Sequence, residues 1–348
     1  MPIDHTLLVE TDAKLLPWYK TSKGRAIAIA AVIVLFVLIV AIVVAITSAN
    51  ASTDVFGIIG AARPMTIWVF ARYNPTVQQA HISASGVIAN FTAADTATPT
   101  PRPDAKCVKW RDRIYIVGGE TEGDQSNKVD ILDPVTLQWS TGPPMQVGRE
   151  EHVAVVLNDS LVVCGCDIVH NVSCLHTCET LKSPDSLWSV AWSPACAMYS
   201  AAVVWQNKMY ISGSWCVGHG REMHIYDGTT GKWQVGPPML DERSGHGAVV
   251  LGDVMIVCGG SEGPAGQRVS CEKFDFRLDQ WSYIASMAHK RNNLALVAAN
   301  NRVFAIGGYP GGSDFLDSVE VYDPVNDSWS MADAKLAYPI WKHTAVVV

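Results

Sequence analysis

The sequence predicts an all-β fold, a β-propeller of about six four-stranded blades, preceded by one transmembrane helix. Three observations predict it. An Asp followed by Trp at the sixth position recurs at Asp133/Trp139, Asp227/Trp233, Asp275/Trp281 and Asp323/Trp329, and Trp188 keeps the register with Lys182 in the Asp place. Successive tryptophans lie 49, 45, 48 and 48 residues apart. A glycine closes a short apolar run at Gly118, Gly165, Gly213, Gly259 and Gly307, in steps of 47, 48, 46 and 48. Self-similarity at this period marks stacked units, and four short strands per unit favour a propeller over a helical solenoid. Finally, residues 26–46 contain only Ala, Val, Ile, Leu and Phe, enough to cross a hydrocarbon core of about 30 Å as a helix.

In chain order, residues 1–25 form a tail with two acid-x-x-Leu-Leu patterns, ending at Leu8 and Leu16. These are either sorting signals or chance leucine pairs. The apolar run that follows exceeds the roughly 7–15 residues of a cleaved signal core, which favours an uncleaved signal-anchor. Lys14, Lys20, Lys23 and Arg25 precede it, and the next cation is Arg63. The positive-inside tendency then places the tail in the cytoplasm and residues 47–348 outside or in a lumen, as in a type II membrane protein. The sequons at Asn50, Asn90, Asn158, Asn171 and Asn326 all follow the span and are candidate glycosylation sites. A charged fraction of 17% fits a span plus a β-rich body. The net charge of −7 argues against nucleic acid as a partner.

Residues 47–64 read as a juxtamembrane link and residues 65–348 as the propeller. Residues 65–91 form a degenerate unit without the glycine pair, and the Thr/Pro-rich residues 92–103 read as a loop. From residue 104 the units are regular, with first strands over 107–110, 153–157, 201–205, 248–251 and 295–298. Residues 343–348 are a further first strand with nothing behind it. Paired with the N-terminal unit, that strand closes a six-bladed ring and removes an open edge. The rival is that residues 55–60 supply the missing strand and Val348 ends a truncated seventh blade.

Gly118-Gly119, Gly259-Gly260 and Gly307-Gly308, then Tyr226-Asp227 or Tyr322-Asp323-Pro324, then Trp six residues after the Asp, resemble the kelch repeat. The likeness covers residues 104–348 well and 65–91 weakly. Departures are Cys166 and Ser214 in the second-glycine place and Phe70-Ala71 in place of a pair. The resemblance implies a propeller whose last strand closes the ring. It leaves function to the site.

Arg149, Arg243 and Arg291 each lie ten residues after a unit's Trp and so share one rim. There they either clamp an anionic ligand or tie adjacent blades. His152, His246 and His343 open inner strands and read as structural. Trp215 is a candidate aromatic anchor on the same rim. All nine cysteines follow the span, in a space that favours disulfides. Cys258 and Cys271 flank one loop, Cys164 and Cys166 face Cys174 and Cys178 across another, Cys196 and Cys216 share a rim, and Cys107 is left over. The alternative is a metal site from Cys164, Cys166, His170, Cys174, His176 and Cys178. No nucleophile-elbow, phosphate-loop or His-Glu-x-x-His motif is present. The expectation is therefore a membrane-anchored binding module for a protein or glycan, with no cofactor. The alternative is a metal-dependent ectoenzyme of the copper-oxidase kind.

Overall fold

The chain divides into residues 1–61 and residues 62–348. A computed structural model describes residues 65–165, 176–216 and 218–348, all in the second unit. The expected transmembrane span at residues 26–46 and the rival strand at residues 55–60 lie outside the described residues. Among the described residues no helix is long and apolar enough to cross a membrane.

Blade I contains β1 (Met65–Phe70), β2 (Thr76–Ile82) and β3 (Thr92–Ala97). Blade II contains β4 (Lys106–Trp110) and β5 (Arg113–Val117), a ribbon of β6 (Glu120–Thr121) and β7 (Asp124–Gln125), then β8 (Val129–Leu132) and β9 (Trp139–Thr141). Blade III comprises β10 (Val153–Leu157), β11 (Ser160–Cys164), β12 (Thr177–Leu181) and β13 (Ser189–Trp192). Blade IV comprises β14 (Ala201–Trp205), β15 (Lys208–Ser212), β16 (Met223–Asp227) and β17 (Lys232–Val235). Blade V comprises β18 (Gly247–Leu251), β19 (Val254–Cys258), β20 (Cys271–Asp275) and β21 (Gln280–Ile284). Blade VI comprises β22 (Ala295–Ala299), β23 (Arg302–Ile306), β24 (Ser318–Asp323) and β25 (Ser328–Lys335), and β26 (Thr344–Val347) follows. Each blade is a four-stranded antiparallel sheet, and β26 supplies the first strand of blade I in the order β26-β1-β2-β3. The first strands pack side by side around the axis, and β26 lies between β22 and β4. The six-bladed closure expected from residues 343–348 is therefore present. Ile67 pairs with Val347 and Phe70 with Thr344, and Thr66 and Val348 exchange both backbone bonds at 2.9 Å.

Second strands are buried on both faces, which is why RIYIV, KMYIS, VMIVC and RVFAI read as continuous apolar runs. The core lies between blades: Trp110, Tyr115 and Val117 of blade II pack with Leu161, Val163 and Trp188 of blade III. The repeated Asp caps its own hairpin, Asp227 Oδ1 accepting from the Thr229 and Thr230 amides. Most of the repeated tryptophans reach back to the preceding blade's exit. Trp188, Trp281 and Trp329 donate to the carbonyls of Pro143, Pro237 and Ala285.

Two expectations for blade I need correction. Residues 92–97 are a strand, because the free edge of β2 recruits them. The place of the glycine pair falls on Ala71 and Arg72, not on Phe70-Ala71, because Phe70 pairs with Thr344 as Cys164, the residue before Gly165, pairs with Val153. Disulfides join Cys164 to Cys178, Cys196 to Cys216 and Cys258 to Cys271, and Cys107 is a buried free thiol. Cys166 and Cys174 lie outside the described residues.

Candidate binding site on the axial face

Antiparallel alternation puts the connections between second and third strands, and those between blades, on one face. The two hairpins of each blade lie on the other. Two layers build the first face.

The lower layer corrects the ligand reading of the arginines. Arg149, Arg243 and Arg291 are 0, 1 and 0% exposed. Each Nε meets a buried glutamate of its blade's third strand, Glu179, Glu272 and Glu320, at 3.1, 2.9 and 3.0 Å. Each Nη1 donates to the carbonyl of the first glycine, Gly165, Gly259 and Gly307. The arginine's own carbonyl accepts from the preceding blade, Gly119 N to Arg149 O at 2.7 Å and Gly260 N to Arg291 O at 2.8 Å. A Cβ on Gly259 would sit 2.3 Å from Arg291 O, and its φ is +70°, so this close approach needs glycine. These arginines rivet blade to blade and are closed to a ligand. Sequence reading missed a fourth, Arg102, which bonds Asp130 at 2.5 Å and Gly118 O at 2.6 Å. Its signal is its distance to the first glycine, 16 residues as in the other three.

Three histidines lie beside the rivets, their rings against the first glycine of the preceding blade: His152 on Gly118, His246 on Gly213 and His343 on Gly307. Burial, reinforced by nearby Lys106, Arg149 and Arg102, holds the His152 pKa well below its ordinary value. Burial and Arg243 hold His246 at about 3, and burial with Lys106 and Arg291 does the same for His343. The unfolded chain, with pKa near 6.5, gains protons that the fold refuses. Stability is therefore full above about pH 6.5 and falls as pH drops towards 3, by up to about 2 kcal/mol per histidine at pH 5. Glu150 and Glu151, raised by burial, titrate in the opposite sense and offset part of this. Urea unfolding at pH 7 and pH 5 should show the loss. His152→Leu, which copies Leu294 of blade VI, should shrink it by roughly a third. An unchanged pH slope would mean that His152 titrates normally.

The upper layer is a ring of left-handed residues. The residue two places before each first strand has positive φ: Asp104, Glu151, Tyr199, Gly245, Asn293 and Lys342. Backbone bonds link them in turn, Tyr199 N to Glu151 O, Gly245 N to Tyr199 O, Asn293 N to Gly245 O and Lys342 N to Asn293 O. At the closure seam the Lys342 ammonium bridges instead, 2.7 Å from Asp104 and 3.3 Å from Glu151. Burial alone would lower the Lys342 pKa, but Asp104 and Tyr199 together outweigh it and the pKa rises. The ring fixes the backbone while leaving the side chain free to differ, so it presents six different groups on one scaffold.

Above the ring lies a basin of about 480 Å³ walled by Tyr199, Trp215, Tyr309 and Trp341, with Asn292 and Asn293 at its floor and side. Trp215, the anchor expected from sequence, is 52% exposed and meets Tyr199 edge-on at 6.3 Å. The Cys196–Cys216 disulfide ties their two loops. Trp341 stacks on Phe315 at 5.1 Å and touches Tyr309 at 5.7 Å. Aromatic walls with a few oriented polar groups suit a peptide or similar ligand. The Cys/His set gives a different picture: Cys164 and Cys178 are bonded to each other and His176 contacts the Pro194 carbonyl. Of the sequons, Asn90, Asn158 and Asn326 are exposed on the hairpin face, away from the basin. Asn50 and Asn171 lie outside the described residues.

Comparison with known proteins agrees with this architecture. The Kelch motif family matches residues 101–146, 242–288 and 290–333. Kelch-like protein 25 of Xenopus tropicalis is 27% identical over 243 residues, 67% of this chain and 41% of that protein. Kelch-like protein 23 of Homo sapiens is 26% identical over 191 residues, 54% of this chain and 34% of that protein. The chain thus spans about two fifths or less of these relatives. A solved structure described as the structure of YjhT superposes with a TM-score of 0.63 at 17% identity, covering 77% of this chain and 97% of that one, which speaks to fold alone. Three stretches similar to the Kelch motif thus lie within a six-bladed, all-β propeller.

Proposed function

We propose that this is a single-pass type II membrane glycoprotein whose propeller, outside the cell or in a lumen, binds a protein through the axial basin. The basin of Tyr199, Trp215, Tyr309 and Trp341 carries the reading, because four partly exposed aromatics converge there on a rigid scaffold. The apolar run at residues 26–46, its cationic flank and the three disulfides support the anchored, oxidising location. Glycans on Asn90, Asn158 and Asn326 would leave the basin uncovered. Aromatic faces also suit a sugar ring, so a partner bound through its glycan is the second outcome to separate. The disulfide through Cys164 and Cys178 weighs against the metal-dependent alternative.

One experiment tests both parts. A peroxidase fused after Val348 is expressed on the full chain in intact cells and supplied with a membrane-impermeant label. Labelled neighbours are expected for the parent and should fall at least about fivefold for Trp341→Ala, by loss of a central aromatic anchor. Glycosidase treatment of the neighbours should not change the result. No labelling of the parent in intact cells, with labelling once the plasma membrane alone is permeabilised, overturns the topology, and an identical neighbour set for Trp341→Ala overturns the basin.

A further inference from the structure

Arg72 stands in the second-glycine place of blade I, in the short connection between β1 and β2. Its guanidinium lies 4.5 Å from the Tyr73 ring centroid and 5.0 Å from that of Trp341. Its Nε is buried without a hydrogen-bond partner. The other arginines of the described residues each reach a carboxylate or a carbonyl, as in Arg111–Asp159, Arg277–Asp253, Arg302–Asp323 and Arg221 to Met239 O. Arg72 reaches neither among the described residues. It lines a pocket of about 250 Å³ with Tyr73, Phe315, Tyr338 and Trp341. Trp341 is the shared wall between this pocket and the larger basin.

We infer that the Arg72 pocket is an anion subsite of the basin, which takes the carboxylate of an acidic peptide side chain. The inference rests on the basin being the binding site and adds the partner's chemistry. A guanidinium stacked against aromatic rings keeps its planar edge for two parallel bonds to a carboxylate. Its surroundings are apolar on several sides, so a bond formed there is poorly screened. Because one indole separates the two pockets, the acidic residue should lie close in sequence to an apolar residue that fills the basin. An acid thus completes a charge that the fold leaves unpaired, whereas a basic peptide would meet Arg72 and Lys342 together.

The test uses the full chain in detergent micelles and saturation-transfer NMR with two blocked peptides, acetyl-Leu-Gly-Glu-amide and acetyl-Leu-Gly-Gln-amide. The Glu peptide should bind at least about tenfold more tightly, the scale of one charge-assisted pair. Arg72→Ala should erase that difference and Arg72→Lys should keep only part of it, since a point charge cannot form the paired bonds. Arg72→Ala should leave the melting temperature unchanged, as the residue belongs to an open connection. Three results would overturn the subsite: equal binding of the two peptides to the parent, no binding of either, or a preference that survives Arg72→Ala. A fall of several degrees in melting temperature for Arg72→Ala, with no change in peptide preference, would make Arg72 a structural stack. In each of these cases the basin itself is still judged by Trp341→Ala in the labelling experiment.

Discussion

Arg291→Ile alone is expected to lose about 3–5 kcal/mol of stability, whereas Arg291→Ile with Glu320→Gln should lose far less, on the order of 1 kcal/mol. In the single variant Glu320 stays charged in a fully buried place, and the carbonyls of Gly307 and Ser318 lose their donor. The double variant copies blade I, where Ile340 and Gln78 occupy the two places. Gln78 keeps the duty that a bare deletion would abandon: its Oε1 accepts from the Ala337 amide at 2.7 Å, just as Glu320 accepts from Ala288. The same logic accounts for the remaining blades. Glu179 and Glu272 accept from the Gln146 and Leu240 amides, each three residues before the arginine. Blades II and IV carry Pro99 and Pro194 there, which offer no N–H, and have Asp130 and His224 in the glutamate place. In blade IV the arginine place is Ala197, and the neighbouring Cys196–Cys216 disulfide holds the same two loops together. Chemical denaturation of parent, single and double variants decides the matter. Equal losses in the single and double variants would mean that the arginine's own bonds, and not the stranded charge of Glu320, carry the cost.

Much of this arrangement is legible in the chain because it repeats. The Asp–Trp and glycine spacings set the blade count, and the extra apolar strand after His343 tells where the ring closes. The Cys196–Cys216 and Cys258–Cys271 pairs follow from placing each residue within its unit. What repeats less is harder to read. Strand β3, TAADTA, lacks alternating apolar residues and forms on the edge offered by β2. Arg102 escapes a count from tryptophan because blade I has Phe91 instead of one. The left-handed ring is hardest, since the position demands a backbone angle and not a side-chain type. Asp, Glu, Tyr, Gly, Asn and Lys all satisfy it, and only Gly245, Asn293 and Asp104 are of the kinds that favour φ > 0. Aromatic convergence is equally hidden, because Tyr199, Trp215, Tyr309 and Trp341 come from different blades and meet only once the ring is closed.

Removal of residues 343–348 should be the most damaging change of all. It deletes β26, so the ladder from Ile67 to Phe70 loses its partner and blade I loses its inner strand. The first strands β22 and β4, which flank β26, would then face a gap along the axis. His343 would vanish from under Gly307, and the Thr344 hydroxyl would no longer accept from the Cys107 amide at 2.9 Å. The exposed edge would present Ile67, Trp68 and Val69, three buried apolar residues on an unpaired strand, which invites pairing between molecules. The full chain ending at Lys342 should therefore aggregate or unfold without a cooperative transition. Val346→Pro, which deletes no side-chain bulk beyond one residue, should lower the melting temperature sharply by removing a ladder donor and straining β26. The peptide His-Thr-Ala-Val-Val-Val added in trans should restore part of the cooperative unfolding of the shortened chain, because the missing strand is recruited by backbone bonds that do not need a covalent link. A shortened chain that melts cooperatively at the parental temperature, without the peptide, would show that five blades and an open sixth hold themselves, and that the tail's pairing with β1 is dispensable.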